Sequence, residues 1–208
     1  MELVNPRVED YIASLYTVSD PVLKEMEKLA RRLDFPYVGP MVGQLLFQLA
    51  KLAKAKTVFE MGSGFGYSAY WFAKALPSDG RVHHTDTDPD NCEQAKDFFK
   101  RGGLEKKVTV HAGDALNIID EVPGDFDIIF IDAAKEDYPA CFKKAKARLN
   151  KGGLLIADNC LWFGQVFDKN PDPPTRGILE FTRLVFSDKE LVATLVPIRD
   201  GLIVALKA

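Results

Sequence analysis

Hydrophobic positions in the first quarter of the chain recur every three or four residues: Val8, Tyr11, Ile12 and Leu15, then Leu23, Met26, Leu29, Ala30 and Leu33, then Leu45, Leu46, Leu49 and Leu52. This period predicts three amphipathic helices between Arg7 and about Ala53. Asp20-Pro21 marks the start of the second, and Pro36 and Gly39-Pro40 separate it from the third. Beyond Lys56 the period changes. Short β-branched or aromatic runs, TVFEM (57–61), RVHHTD (81–86), KVTVHA (107–112), FDIIFID (126–132) and GLLIADN (153–159), read as strands. Between and after them, helices are predicted over Tyr67–Leu76, Asp90–Gly102, Lys135–Leu149 and Thr175–Phe186, with Gly102-Gly103 and Gly152-Gly153 as stop signals. The alternation specifies an α/β fold with a parallel sheet and crossover helices. At the C-terminus, LVATLVPI and LIVALKA flank the turn Arg199-Asp200-Gly201, which predicts an antiparallel hairpin. The stretch Trp162–Thr175 carries Pro, Gly, Asp and Asn and reads as an irregular, mobile loop beside any active site.

The chain has 208 residues, 47% of them hydrophobic, with 27 Lys+Arg against 30 Asp+Glu and a net charge of −3. That balance excludes disorder and is read as one domain over residues 1–208: N-terminal helices over 1–55 and the sheet core over 56–208. Net acidity disfavours a nucleic-acid partner, although a local basic face escapes such a count. Cys92, Cys141 and Cys160 form no CxxC pair, which predicts reduced, packed thiols. The N-terminus lacks an apolar leader core, and no later run reaches the roughly 18 apolar residues a bilayer span needs, so a cytoplasmic, membrane-free location is expected.

Gly62, Gly64 and Gly66 fall directly between a strand and a helix, where missing side chains allow close backbone approach to a nucleotide-type ligand. Glu60, just before them, reads as a fixed negative charge pointing into the crevice. A pyrophosphate disfavours that neighbour, whereas the sulfonium and ammonium of S-adenosylmethionine favour it. Asp86, at the end of the second strand, is placed to accept hydrogen bonds from ribose hydroxyls, a feature that suits NAD equally well. Asp114-Ala115 follows the third strand as a turn able to meet an adenine edge, and Asp114 can equally cap the helix beginning ALNIID.

Asp132 closes the fourth strand and Asp158-Asn159 the fifth, so three oxygen donors should converge at the carboxyl edge of neighbouring parallel strands, where open α/β sheets bind ligands. Two carboxylates and an amide select a hard cation, Mg²⁺ or alternatively Mn²⁺ or Ca²⁺, rather than zinc. Lys135 lies three residues beyond Asp132, where one local turn presents its amine beside the cation as a general base. Trp162 and Phe163 are candidate walls of an acceptor pocket, or ordinary packing residues. His83, His84 and His111 lie on strands and are given no catalytic role.

The segments GPMVGQLL, FEMGSGFGYSA, ALPSDGRV, FDIIFIDAAKEDY, NKGGLLIADNCLWFGQV and PIRDGL, in this order, resemble the cation-dependent O-methyltransferase family, which includes catechol and caffeoyl-coenzyme A O-methyltransferases. The resemblance implies a Rossmann-like seven-strand methyltransferase sheet in the order 3-2-1-4-5-7-6, the last strand antiparallel, with helices on both faces and extra N-terminal helices. It implies a homodimer acting on a small phenolic acceptor. By matching positions, Val38, Glu60, Gly62 and Ser63 contact the methyl donor, Ser68 its carboxylate, Asp86 its ribose and Asp114-Ala115 its adenine. Asp132, Asp158 and Asn159 match the metal ligands and Lys135 the base. Three rival readings are a nicotinamide-dependent dehydrogenase, a noncatalytic adenosine-ligand binder, and a methyltransferase acting on a hydroxylated uridine of tRNA.

Overall fold

Helices α1 (Pro6–Ser14), α2 (Pro21–Leu33) and α3 (Gly39–Leu52) form where the three-and-four spacing predicts them. Each carries a proline in its first turn, where a missing N–H costs nothing. The Asp20 carboxylate caps α2 by accepting the N–H groups of Val22 at 2.9 Å and Leu23 at 3.3 Å. The computed structural model describes residues 5–208, so the first four residues of the expected 1–55 segment lie outside the described residues.

The remaining elements are β1 (Thr57–Met61), α4 (Tyr67–Ala75), β2 (Arg81–Asp86), α5 (Pro89–Arg101), β3 (Val108–Ala112), α6 (Ala115–Glu121), β4 (Phe126–Ile131), α7 (Tyr138–Arg148), β5 (Leu149–Ala157), α8 (Pro173–Ser187), β6 (Leu191–Val196) and β7 (Leu202–Lys207). The sheet has seven strands in the order β3-β2-β1-β4-β5-β7-β6. Neighbours from β3 to β5 pair in parallel, and β7 runs antiparallel to both β5 and β6. The predicted terminal hairpin is therefore present, with Arg199 at φ 48° and Gly201 at φ 84° in its turn.

Strand alternation divides the core between the two faces. Val58, Ile128, Phe130 and Ile156 pack with residues of α2, α3, α4 and α5, whereas Phe59, Met61, Ile129, Ile131 and Leu155 pack with residues of α6, α7 and α8. Each buried phenylalanine contributes roughly 2 kcal/mol of hydrophobic stabilisation. This double coverage holds the ends of β1, β4 and β5 rigid beneath the site.

Three expectations change. The Gly152-Gly153 pair does not stop a helix: α7 ends at Arg148, and both glycines lie inside β5, which starts four residues before the predicted Gly153. There the register to β4 shifts, with Phe126 opposite Leu149 but Ile128 opposite Leu154, and Gly152 takes φ +79° in the irregularity. The predicted helix at Lys135 opens instead as a 3₁₀ turn (Lys135–Asp137) before α7. The expected Trp162–Thr175 loop contains a 3₁₀ segment over Trp162–Phe167, and α8 already begins at Pro173, capped by Asp172 on the Thr175 N–H at 2.9 Å. Cys92, Cys141 and Cys160 are free and buried. Among the described residues no helix is long and apolar enough to cross a membrane.

Candidate active site

A cavity of about 580 Å³ opens at the carboxyl ends of the parallel strands. All the predicted site residues except Glu60 line it: Val38, Gly62, Ser63, Ser68, Asp86, Asp114 and Ala115 on one side, and Asp132, Lys135, Asp158, Asn159, Trp162 and Phe163 on the other.

Glu60 departs from the expectation of a charge facing the crevice. Strand alternation puts it on the same face as His84, whose ring meets Phe99 of α5. It is fully buried, both carboxylate oxygens lack a hydrogen-bond partner, and Oε2 stands 3.6 Å from His84 Nδ1. The glycine loop also differs in what its missing side chains admit. A Cβ on Gly62 (φ +77°) would lie 2.7 Å from the Asp132 carbonyl oxygen, and one on Gly64 would strike the Phe35 ring at 2.5 Å. Glycine here lets β1 end tightly against β4 and the loop fold under Phe35. Thr85, which the sequence did not single out, fastens this loop: its hydroxyl donates to the Glu60 carbonyl at 2.7 Å and accepts the Gly62 N–H at 3.3 Å.

On the same side, Asp86 Oδ2 accepts the Gly64 N–H at 2.8 Å, while Oδ1 accepts the Asp88 N–H at 2.9 Å and the Asn91 amide at 3.2 Å. A carboxylate has about four acceptor positions, which leaves room for a ligand hydroxyl. Asp114 caps α6 through the Leu116 N–H at 2.9 Å, as one reading of it expects, and also lines the cavity.

On the opposite side, Lys135 is buried rather than solvated. Its Nζ donates to Asp132 Oδ1 at 2.9 Å, the Tyr138 hydroxyl at 3.0 Å and the Ala133 carbonyl at 3.2 Å, and it lies over the Tyr138 and Trp162 rings. Tyr138, a second residue the sequence reading passed over, is fully buried and donates its hydroxyl to the Asp158 carbonyl at 2.9 Å. The Asp132 and Asp158 carboxyls are both held above the ordinary carboxylate range, first by burial and then by like charge: Asp132 acts on Asp158 and Glu60 on Asp132, with Lys135 opposing. Asp158 Oδ1 is buried without a hydrogen-bond partner.

Asn159 sits at φ 56°, a left-handed conformation that asparagine tolerates, and its amide Nδ2 donates to Asp200 Oδ2 at 3.3 Å. That bond leaves the amide oxygen for a ligand. Asp200 Oδ1 accepts the Phe163 N–H at 2.6 Å, so one buried carboxylate in the β6–β7 turn organises both Asn159 and the aromatic loop. Burial raises the Asp200 carboxyl above its usual range. Of the two aromatic residues, Trp162 is partly buried against the core, while Phe163 is 65% exposed.

Among the described residues no three His, Cys, Asp or Glu side chains come together as a metal-binding group. The available donor set is two carboxylates and an amide. An orphaned buried carboxylate oxygen, two mutually repelling acids and a free amide oxygen fit a hard divalent cation.

A family model described as O-methyltransferase matches residues 13–208. The chain belongs to this family. It is 33% identical over 195 residues to the catechol O-methyltransferase of Niastella koreensis, covering 90% of this chain and 88% of the relative. It is 34% identical over 204 residues to caffeoyl-CoA O-methyltransferase 1 of Eucalyptus globulus, covering 91% and 82%. Among solved structures, the O-methyltransferase from Bacillus cereus in complex with SAH superposes with a TM-score of 0.88 at 29% identity, covering 97% of each chain. TomG from Streptomyces achromogenes in complex with SAM gives a TM-score of 0.89 at 30% identity, covering 97% of this chain and 96% of that one.

Proposed function

We propose that this O-methyltransferase moves the methyl group of S-adenosylmethionine to one hydroxyl of a catechol-like small molecule, and that a divalent cation, Mg²⁺ foremost, is required. The observation that carries the reading is one cavity lined both by the glycine loop with Asp86 and Asp114 and by Asp132, Asp158, Asn159 and the buried Lys135. The names of the catechol and caffeoyl-CoA relatives, and neighbours solved with SAM or SAH, support it.

In this mechanism Asp86 accepts the ribose hydroxyls, Asp114 and the Ala115 N–H meet the adenine, and Val38, Gly62, Ser63 and Ser68 hold the methionine end. Glu60 acts from below the loop as buried negative charge favouring a cationic ligand. Asp132, Asp158 and Asn159 would hold the cation, whose Lewis acidity would make the acceptor hydroxyl easier to deprotonate. Lys135 Nζ is the acceptor for the hydroxyl proton. The acceptor oxygen then attacks the methyl carbon in line as the carbon–sulfur bond breaks, with Trp162 and Phe163 flanking the aromatic ring to fix its angle. A homodimer in the cytoplasm belongs to the same reading.

The test is transfer of an isotope-labelled methyl group to a panel of catechols and to total RNA, with Mg²⁺ and with excess chelator. The proposal requires cation-dependent labelling of a catechol. Labelling of RNA alone, or labelling unaffected by chelator, overturns it.

A further inference from the structure

Two cationic side chains line the cavity, Lys135 and Arg199, against a lining that includes Asp86, Asp114, Asp132 and Asp158. Lys135 is spent on Asp132. Arg199 is different: its Nη1 donates to the Tyr37 carbonyl at 2.7 Å, and among the described residues it forms no ion pair, which leaves most of its five N–H donors unengaged.

The guanidinium is also built into place. Its stem leaves a turn in which Arg199 holds φ 48° and the Gly201 N–H bonds the Ile198 carbonyl at 2.9 Å. Asp200 ties that turn to Asn159 and Phe163, and the Leu161 N–H bonds the Asp200 carbonyl at 2.8 Å. The head group rests on Gly39, where a Cβ would come within 2.9 Å of Nη1. Arg199 therefore projects from the β6–β7 turn, which Asp200 ties to the separate loop carrying Asn159, Trp162 and Phe163.

We infer that Arg199 selects acceptors bearing a carboxylate, which its planar fork binds through paired hydrogen bonds at the wall of the acceptor pocket. An otherwise acidic cavity repels such an anion, so an unpaired guanidinium is the feature that admits it. This inference rests on the catechol reading above and narrows its substrate class to catechol-like acids.

The experiment compares 3,4-dihydroxybenzoate with its neutral isostere 3,4-dihydroxybenzamide in the Mg²⁺-supplemented enzyme, for wild type, Arg199→Gln and Arg199→Lys. Wild type should favour the acid in kcat/KM by about 10- to 100-fold, the worth of a charge-assisted pair. Arg199→Gln should collapse that ratio toward one through KM for the acid, and Arg199→Lys should recover part of it. Equal use of both acceptors by wild type overturns the inference and leaves the catechol reading standing. A raised KM for S-adenosylmethionine in Arg199→Gln, with the acid-to-amide ratio intact, assigns the residue to the methyl donor and also overturns it. Failure of wild type to methylate either catechol sinks both.

Discussion

Asp200→Asn separates the architecture of the site from its chemistry. In the native turn Asp200 offers only acceptors, one to the Phe163 N–H at 2.6 Å and one to the Asn159 amide at 3.3 Å. An asparagine there keeps its oxygen on Phe163 and turns an NH₂ toward the NH₂ of Asn159. The clash is relieved when the Asn159 amide flips, which restores a hydrogen bond but presents nitrogen instead of oxygen to the cation position. Exchanging a charged for a neutral hydrogen bond costs about 1 kcal/mol, partly offset because a buried charge disappears. For a chain of this size that is roughly 2–4 °C in Tm. Loss of a ligand-orienting contact should raise the Mg²⁺ concentration for half-maximal turnover about 10- to 100-fold. The assay is methyl transfer against Mg²⁺ concentration, with S-adenosylmethionine affinity measured separately by calorimetry. Unchanged Mg²⁺ dependence, or a loss of activity matched by an equal loss of cofactor affinity, would refute the reasoning.

Other perturbations probe neighbouring parts. Tyr138→Phe removes the hydroxyl linking Lys135 to the Asp158 carbonyl; a loss of about 2–3 kcal/mol in urea unfolding and a lower kcat at unchanged cofactor affinity are expected. Gly177→Ala drives a Cβ to 2.1 Å from the Lys135 carbonyl oxygen, so α8 must shift. It should destabilise by about 1–3 kcal/mol despite better helix propensity, and reduce turnover as Lys135 moves; a stabilised, fully active variant would contradict this packing. His83, packed among Phe59, Phe126 and His111, is pushed from 6.5 to about 4, mainly by burial. A depressed histidine stabilises the fold fully above pH 6.5 and loses that contribution as pH falls toward 4. His83→Phe should flatten that acid slope in urea unfolding between about pH 6.5 and 4, and an identical slope would refute the assignment.

Periodicity was informative where the chain obeys one rule at a time. Thr57–Met61 and Arg81–Asp86 match their predicted bounds because alternation there has a single register. It failed at Gly152-Gly153, where a register shift inside β5 imitates a helix stop. That Asp86, Asp132 and Asp158 would line one cavity was legible because topology alone brings strand ends together. Asp200 was not: it lies 41 residues from Asn159, and an aspartate in a tight turn reads as turn chemistry. Tyr138 looked like any first-turn helix residue, and only the buried approach of Lys135 gives its hydroxyl a purpose. Glu60 shows the opposite error. Its neighbourhood was right, but the pleat sends its side chain beneath the loop rather than into the cavity.

The central claim is that Asp132, Asp158 and Asn159 together hold one hard cation beside the methyl donor. Its most direct test is a Mn²⁺ titration followed by electron paramagnetic resonance, in the presence of S-adenosylhomocysteine and a catechol, for wild type and Asp158→Ala. The account predicts one bound Mn²⁺ per wild-type chain and its loss in Asp158→Ala, with S-adenosylhomocysteine affinity retained. Equal Mn²⁺ binding by both proteins, or no binding by wild type, would contradict it.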